Sequence, residues 1–330
     1  MITHPKGTTA MLPRLLLLAL LLSSLVPGAG AGEAAATPWK TRHVVVLVID
    51  GPRWTETWGK AGRDLIPVRD KVLAPQGVLL SDMANDGPTY TNAGHSALTT
   101  GFHQEINNSG QELPRNPSIT QRVVAAGTDP KQVWVVSSKD KLQILTDSTA
   151  KDWNHRHLCS FLCGKDGAGS GYCADSETLE RVLATITTHR PRYMLINFRG
   201  PDSSGHAKEW DGYLANIKTT DEYAGTVWAA IQADPQMKDT TTLFITNDHG
   251  RHLDGHKDGY ISHGDDCPGC HKIELLAIGP DFKKGVVSDV HRNQTDVAVT
   301  AAALLGITIP GSDGKVMEEL FLTPTTKGAK

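Results

Sequence analysis

The chain has 330 residues, with 33 Lys and Arg against 36 Asp and Glu for a formal net charge of −3, and 39% of its residues are hydrophobic. A mildly acidic chain has no basic footprint for nucleic acid, so a nucleic-acid partner is excluded. Its length suffices to bury one large core, and no internal repeat interrupts it.

At the N-terminus, Lys6 and Arg14 precede a run of Leu and Ala at 15–22, and the small residues Gly28, Ala29, Gly30 and Ala31 follow. A charged region, a short apolar region and a small-x-small site spell a secretory signal peptide over 1–31, with cleavage expected after Ala31 and, as second choice, after Ala36. A membrane span needs about 20 apolar residues, more than this run supplies. No Cys lies near the cleavage site to carry a lipid, so no membrane anchor is expected. Cleavage removes Lys6 and Arg14, which leaves 31 basic against 36 acidic side chains and a charge of −5. The expected product is secreted or periplasmic, with its oligomeric state left open.

Beyond the leader, apolar runs alternate with longer helical patterns, the signature of βαβ units and a largely parallel sheet. Strands are predicted at 43–49, 77–81, 133–138, 193–198, 242–247 and 273–278. Helices are predicted at 64–73, 93–100, 118–126, 176–189, 211–233 and 295–305, with a short one near 315–321. Pro117 and Gly127 bracket the helix at 118–126. Thr295 is the candidate cap of the helix that Gly306 ends. The stretch 139–175, rich in Gly, Asp and Cys, has no clear period. It reads equally as a lid or binding element and as a disulfide-tied surface insertion.

Cys159, Cys163 and Cys173 fall in that stretch, while Cys267 and Cys270 form a tight pair. In an exported protein they point to disulfides, with an odd thiol left over. Cys267-Pro268-Gly269-Cys270-His271 also matches the attachment motif of c-type haem. No helical haem-binding context surrounds it, and a local disulfide is the preferred reading.

Ligands in open α/β sheets gather at the carboxyl ends of strands. Asp50 ends the first predicted strand. Asp202 and His206 lie in the loop after 193–198, four residues apart, a spacing that lets both reach one ion. Asp248 and His249 end 242–247, where Gly250 permits a sharp turn. Carboxylate and imidazole together suit zinc, with manganese as the harder alternative. The segment from Asp86 to Gly101 places hydroxyls before a helix. There Thr91 would sit among free backbone N–H groups at the positive end of the helix dipole, a natural phosphate cradle. A Thr hydroxyl is a weak nucleophile at neutral pH unless a metal activates it. Thr89 and Ser96 compete with Thr91 for this role, and His252, His256 and His271 compete with His263 as a further ligand. Arg199 and Arg251 flank the ligand motifs and could pair with phosphate or lie on the surface. The expected chemistry is metal-assisted hydrolysis.

Taken in order, Asp50, the segment from Thr91 through His95 to Thr100 and Gly101, Asp202 with His206, Asp248-His249-Gly250, and His263-Gly264 resemble the alkaline phosphatase superfamily. The nearest likeness is to its nucleotide pyrophosphatase/phosphodiesterase branch. It spans nearly the whole mature chain. The resemblance implies one alkaline phosphatase-like α/β domain over 40–325, a largely parallel central sheet flanked by helices on both faces, with 139–175 as an insertion. It implies two zinc ions, one held by Asp202, His206 and His263, the other by Asp50, Asp248, His249 and Thr91. It also implies that Thr91 attacks phosphorus to form a covalent intermediate. The N–H of Asn92, with Asn107 or Asn108, would bind the remaining phosphoryl oxygen. The substrate would be a small-molecule phosphoester, monoester or diester.

The chain departs from that branch in three ways. Thr91-Asn92-Ala93-Gly94 stands where relatives usually carry Thr-Phe-Pro-Asn. His263 follows His249 by only 14 positions, where many relatives insert a substrate-recognising segment. The phosphate-binding Asn of relatives lies further along than Asn107. No Cys/Ser-x-Pro-x-Arg motif of the sulfatases occurs. The alternatives are a sulfatase-like or phosphomutase-like member of the superfamily, or an inactive secreted binding protein.

Overall fold

Strands that are apolar at every position, not at alternate ones, are buried on both faces, and β1 (His43–Ile49) has no exposed side chain from Val44 to Ile49. It lies within a sheet completed by β2 (Gly77–Ala84), β3 (Val133–Ser137), β4 (Ser160–Leu162), β5 (Tyr193–Phe198), β6 (Thr241–Thr246), β7 (Lys272–Ile278), β8 (Val286–Ser288) and β9 (Arg292–Asn293). The order is β4-β3-β5-β1-β6-β7-β2-β8, with β9 also beside β2. β7 runs antiparallel to β6 and β2, and the other described pairings are parallel. The computed structural model describes residues 38–59, 63–163 and 171–322. The signal peptide expected at 1–31 lies outside them. No helix among the described residues is long and apolar enough to cross a membrane.

The helices are α1 (Thr91–Thr100), α2 (Ile119–Ala125), α3 (Asp175–His189), α4 (Gly200–His206), α5 (Trp210–Ala233), α6 (Pro268–His271) and α7 (Gln294–Leu304). Successive side chains of β1 point to opposite faces, so one strand feeds two cores. Val44, Val46 and Val48 pack with Leu98 of α1, Val123 of α2 and Val297 of α7. Val45, Leu47 and Ile49 pack with Val182 of α3 and with Ile217 and Val227 of α5. Each such side chain, fully buried, stabilises the fold by roughly 1.5–3 kcal/mol. This is the expected α/β architecture, a mostly parallel central sheet with helices on both faces.

Several local expectations change. The helix at 64–73 reduces to a π-helical turn, Arg69–Leu73, because Pro67 disfavours helical backbone at the residue before it. α7 is capped by Asn293 in place of Thr295. The Asn293 side chain accepts from the Thr295 N–H at 3.4 Å, and Asp296 reaches back to the Asn293 N–H at 3.1 Å, a capping box. The stretch 139–175 adds structure to the sheet: Asp140–Thr146 is 3-10 helical and β4 pairs with β3. Residues 164–170 of that stretch lie outside the described set.

A buried ion network ties the π-helical turn to both α5 and β7. Arg69, with no exposed surface, donates to Asp221 at 3.0 Å and to Glu274, and Asp221 also accepts the backbone N–H groups of Val68 and Arg69. Removing one partner of a buried ion pair strands its counter-charge in low dielectric. Arg69→Met should therefore destabilise the protein by about 3–5 kcal/mol in urea unfolding. A loss within about 1 kcal/mol would show instead that solvent screens the pair.

Candidate metal centre and nucleophile

Five elements deliver polar side chains to one edge of the sheet. Asp50 follows β1, Lys139 follows β3, Asp202 and His206 lie on α4 after β5, Asp248 and His249 follow β6, and Thr91 opens α1 after β2. Asp50, Asp248 and His249 have no exposed surface, Thr91 is 1% exposed and Asp202 4%. Because β5, β1 and β6 are adjacent and in flush parallel register, Ile49 lies beside Phe198 and Val48 beside Thr246. The residues just past each strand end therefore share one rim.

Asp202 and His206 sit on a helical turn, not in the loop the sequence suggested. Gly200, Pro201 and Ser203 are poor helix signals, and packing against α5 forms the turn. On a helix, residues i and i+4 share a face. His206 Nε2 accordingly lies 3.2 Å from Asp202 Oδ1. His263 Nε2 joins them at 3.1 Å from His206 Nε2 and 3.4 Å from Asp202 Oδ1. His263 Nδ1 donates to the Thr89 carbonyl at 2.8 Å. That bond leaves the Nε2 lone pair facing the group, the orientation that a backbone carbonyl imposes on a metal-ligating His.

The second group is deeper. His249 Nδ1 donates to the Gly250 carbonyl at 2.9 Å, and its Nε2 points at Asp248 Oδ2 (3.2 Å) and Asp50 Oδ1 (3.6 Å). These three atoms are buried without a hydrogen-bond partner. Buried polar atoms are satisfied in more than nine cases out of ten, roughly, so these open lone pairs fit a divalent cation; ligand atoms of Asp50, Asp202 and His249, and of Asp50, His95 and Asp248, lie within 4.8 Å of one another. Burial also pushes His249 well below the usual imidazole range, which keeps it neutral as a ligand must be. The two groups adjoin through the stacked rings of His249 and His263, whose centroids are 3.6 Å apart. Gly51, at φ +62°, makes the approach possible: a Cβ there would lie 2.9 Å from Arg251 Nη1 and 3.0 Å from the His249 ring.

Lys139 is the residue that sequence reasoning missed. Its ammonium, 2% exposed, lies 2.9 Å from Asp50 Oδ2, 2.7 Å from Asp202 Oδ2 and 3.2 Å from Thr91 Oγ1. Burial alone would lower its pKa, but Asp202 and Asp50 outweigh burial and hold the amine charged. Arg251, fully buried and not on the surface, donates to Asp202 Oδ1 at 2.5 Å. Burial works against Asp202 ionising, yet Lys139, His206, His263 and Arg251 together hold it well below the usual carboxylate range. Asp50 has fewer cations about it. Burial and the neighbouring Asp248 charge push it up to about 6.

Thr91 is at the first turn of α1, and its hydroxyl meets Lys139. The Asn92 N–H donates to Asn108 Oδ1 at 3.1 Å, and Lys141 donates to the same oxygen at 2.8 Å. Asn107 turns its side chain to Ser109 and offers its carbonyl to the Asn92 amide at 3.0 Å. Asn108 thus stands beside the N-terminus of α1, while the Asn107 amide faces away from it. His95 bridges the Thr91 carbonyl (2.8 Å) and Asn197 Nδ2 (3.2 Å), which itself donates to Asp50 at 3.0 Å. Its Nδ1 also lies 3.3 Å from Asp248 Oδ2. Tyr90, Glu105, Ile106, Asn107, Asn108 and Arg115 line an open cavity of about 440 Å³ on the Thr91 side.

Cys159, Cys267 and Cys270 form no disulfide in the structure, so the local bridge expected between Cys267 and Cys270 is not seen. Cys267 and Cys270 do come together, with sulfurs 3.1 Å apart. Both are buried and His271 is tied to the Asn85 carbonyl, which leaves no room for a haem on that motif.

Lys139 is a fixed positive charge that shares Asp50 and Asp202 with any bound cation. Lys139→Met should tighten divalent-metal binding, measured by calorimetric titration, and lower turnover about 100-fold or more through loss of a preorganised donor at Thr91. Weaker metal binding in this variant would mean that Lys139 serves chiefly to hold the carboxylates in place.

Comparison with known proteins places the fold. The chain aligns with 2,3-bisphosphoglycerate-independent phosphoglycerate mutases of Gracilaria tenuistipitata var. liui (26% identity over 134 residues) and Caenorhabditis elegans (28% over 136), in each case over 40% of this chain. It spans only 24% and 23% of those relatives' lengths. Among solved structures, murine ectonucleotide pyrophosphatase/phosphodiesterase 5 superposes with a TM-score of 0.61 at 14% identity, covering 83% of this chain and 97% of that one. A phosphonate monoester hydrolase from Silicibacter pomeroyi gives 0.63 at 13%, covering 88% and 78%. A 2-O GAG sulfatase gives 0.63 at 14%, covering 84% and 73%. At these identities the likeness is one of fold. A family model described as Sulfatase matches residues 42–307. The chain therefore belongs to the sulfatase family, within the alkaline phosphatase superfamily.

Proposed function

We propose that this chain is an exported, metal-dependent phosphoester hydrolase that uses Thr91 as its nucleophile. The observation that carries the reading is the placement of the buried Thr91 hydroxyl beside Lys139, on the rim where three overlapping clusters of ligand atoms converge. Asp202, His206 and His263 would hold one ion, and Asp50, Asp248, His249 and Thr91 the other, zinc being favoured over manganese by the imidazoles. Two such ions, when bound, supply Lewis-acid chemistry, lowering the pKa of the Thr91 hydroxyl and neutralising charge on the phosphoryl oxygens.

The chain's own groups do the rest. Thr91 Oγ1 forms a bond to phosphorus as the bond to the leaving oxygen breaks, and the leaving group departs as an alcohol on taking up a proton. Water then cleaves the phospho-threonine and regenerates the hydroxyl. Lys139 steadies negative charge on Oγ1, since its ammonium already donates there. The first-turn N–H groups of α1 add a partial positive charge beside the phosphoryl group. The leaving group would occupy the cavity beside Tyr90, which is 40% exposed and next to the nucleophile. The murine neighbour has been solved as an inactive Thr-to-Ala variant in complex with AMP, which supports a Thr in this role.

Two other readings have support of their own. Family membership favours sulfate-ester hydrolysis, but Thr91 stands where a sulfatase needs a Cys or Ser to modify, and no Cys/Ser-x-Pro-x-Arg motif is present. The mutase alignments favour phosphoryl transfer between hydroxyls of one substrate. Turnover of p-nitrophenyl phosphate, bis-p-nitrophenyl phosphate and p-nitrophenyl sulfate by the metal-loaded protein separates these. The expected result is hydrolysis of one or both phosphoesters, lost by at least about 1,000-fold in Thr91→Ala and on chelation. Cleavage of the sulfate ester alone, or activity that survives Thr91→Ala, would contradict the proposal.

A further inference from the structure

A second cluster of metal-ligating side chains lies outside the site just described. His252, Asp265, Cys267 and Cys270 each turn one ligand atom inward, and these four atoms lie within 4.8 Å of one another. None of the four belongs to either ligand group around Thr91. We propose that they form a closed, tetrahedral zinc site of structural type, which clamps the loop carrying Arg251 and His263 onto α6 and β7.

The geometry points to a cation at several places. The Cys267 and Cys270 sulfurs are 3.1 Å apart, His252 Nε2 is 3.3 Å from Asp265 Oδ1, and that oxygen is 3.5 Å from Cys270 Sγ. Zn–S and Zn–N bond lengths imply ligand separations of about 3.3–3.8 Å in a tetrahedron, close to these values. A disulfide would require the sulfurs to approach to about 2.05 Å, and here both thiols are free. His252 is 2% exposed, and its Nε2 is buried with no hydrogen-bond partner while aimed into the cluster. Its Nδ1 is held by Asp258 at 2.8 Å, the carboxylate–imidazole arrangement that fixes a metal-binding tautomer.

The surroundings complete the case. The Cys270 N–H donates to Cys267 Sγ at 3.2 Å. Two thiolates and one carboxylate leave a zinc site with a net negative charge. Lys257 answers it from 2.6 Å and His256 from 3.0 Å, both on the outer oxygen of Asp265. Thiolate ligands select zinc over magnesium, calcium or manganese, and four protein ligands leave no open position for chemistry. The cluster brackets the active loop. His252 bonds back to the Ser262 carbonyl at 3.1 Å, one residue before His263, and Gly250 bonds to the Cys270 carbonyl at 2.8 Å. An ion here would hold Arg251 and His263 in register without touching substrate.

Cobalt reports on the site independently of any activity, because only a sulfur ligand gives an intense thiolate-to-metal charge-transfer band. The full-length protein, reduced, stripped of metal and reloaded with cobalt, should show that band in the near ultraviolet. Cys163→Ser should keep it. Cys267→Ser/Cys270→Ser should lose it and bind one zinc per chain fewer than the parent. Should the double variant fail to fold, His252→Ala supplies the second reading: it should shift the band and raise the reactivity of the two thiols towards a thiol reagent. A parent protein with no thiolate–cobalt band, or one whose 267–270 peptide is recovered as a disulfide from zinc-replete, unreduced protein, would overturn the proposal. Neither result bears on the role of Thr91.

Discussion

Three carboxylates, Asp50, Asp202 and Asp248, are buried together at the ends of adjacent parallel strands, and the rest of the site exists to balance their charge. Isolated in a protein interior each would cost several kcal/mol and would take up a proton instead. Lys139 and Arg251 supply fixed positive charge from opposite sides, and both are themselves buried by the need to reach these groups. The fixed cations serve Asp202 better than Asp50, and the imbalance appears as the raised Asp50 pKa. The unpartnered oxygens of Asp50 and Asp248 and the unpartnered nitrogen of His249 mark where charge is still missing. A divalent cation would supply it.

The same demand explains local backbone features far apart in sequence. Gly51 must be glycine because the turn after β1 passes under Arg251 and His249. Gly94 lets α1 approach the backbone at Asp248 so closely that a Cβ would sit 2.2 Å from that carbonyl oxygen. The Asp248 carbonyl is in turn held by Asn85, just after β2, and by Gln294 of α7, so the end of β6 is fixed from two sides. Preorganisation of this kind is what positions a weak nucleophile for attack. The short connection from His249 to His263 leaves the mouth open, and the walls beside Thr91 come from Tyr90 and the 105–115 segment.

Much of this was legible in the sequence because apolar strands contrast sharply with the residues that follow them. Asp50, Asp202, Asp248 and His249 each stand directly after such a run or a few residues beyond it, and strand-end geometry brings them together. Lys139 was invisible for the opposite reason: it falls in a polar stretch where a lone Lys reads as solvated. Its partners come from residues 89 and 63 positions away along the chain, pairs that only the sheet order reveals. α4 escaped because tertiary packing, not propensity, forms it. β4 escaped because three residues cannot display a period. The Cys267–Cys270 pair was visible as a motif, but Asp265 and His252 became its partners only once the loop was folded back on β7.

The central claim is that this carboxylate-rich rim is a cation site built around Thr91. A crystal structure of the zinc-loaded protein, with anomalous data collected on either side of the zinc edge, tests it most directly. The account predicts one peak among Asp202, His206 and His263 and another among Asp50, Asp248, His249 and Thr91. A map with no anomalous density at either position, and Lys139 alone bridging Asp50 and Asp202 at saturating zinc, would contradict it.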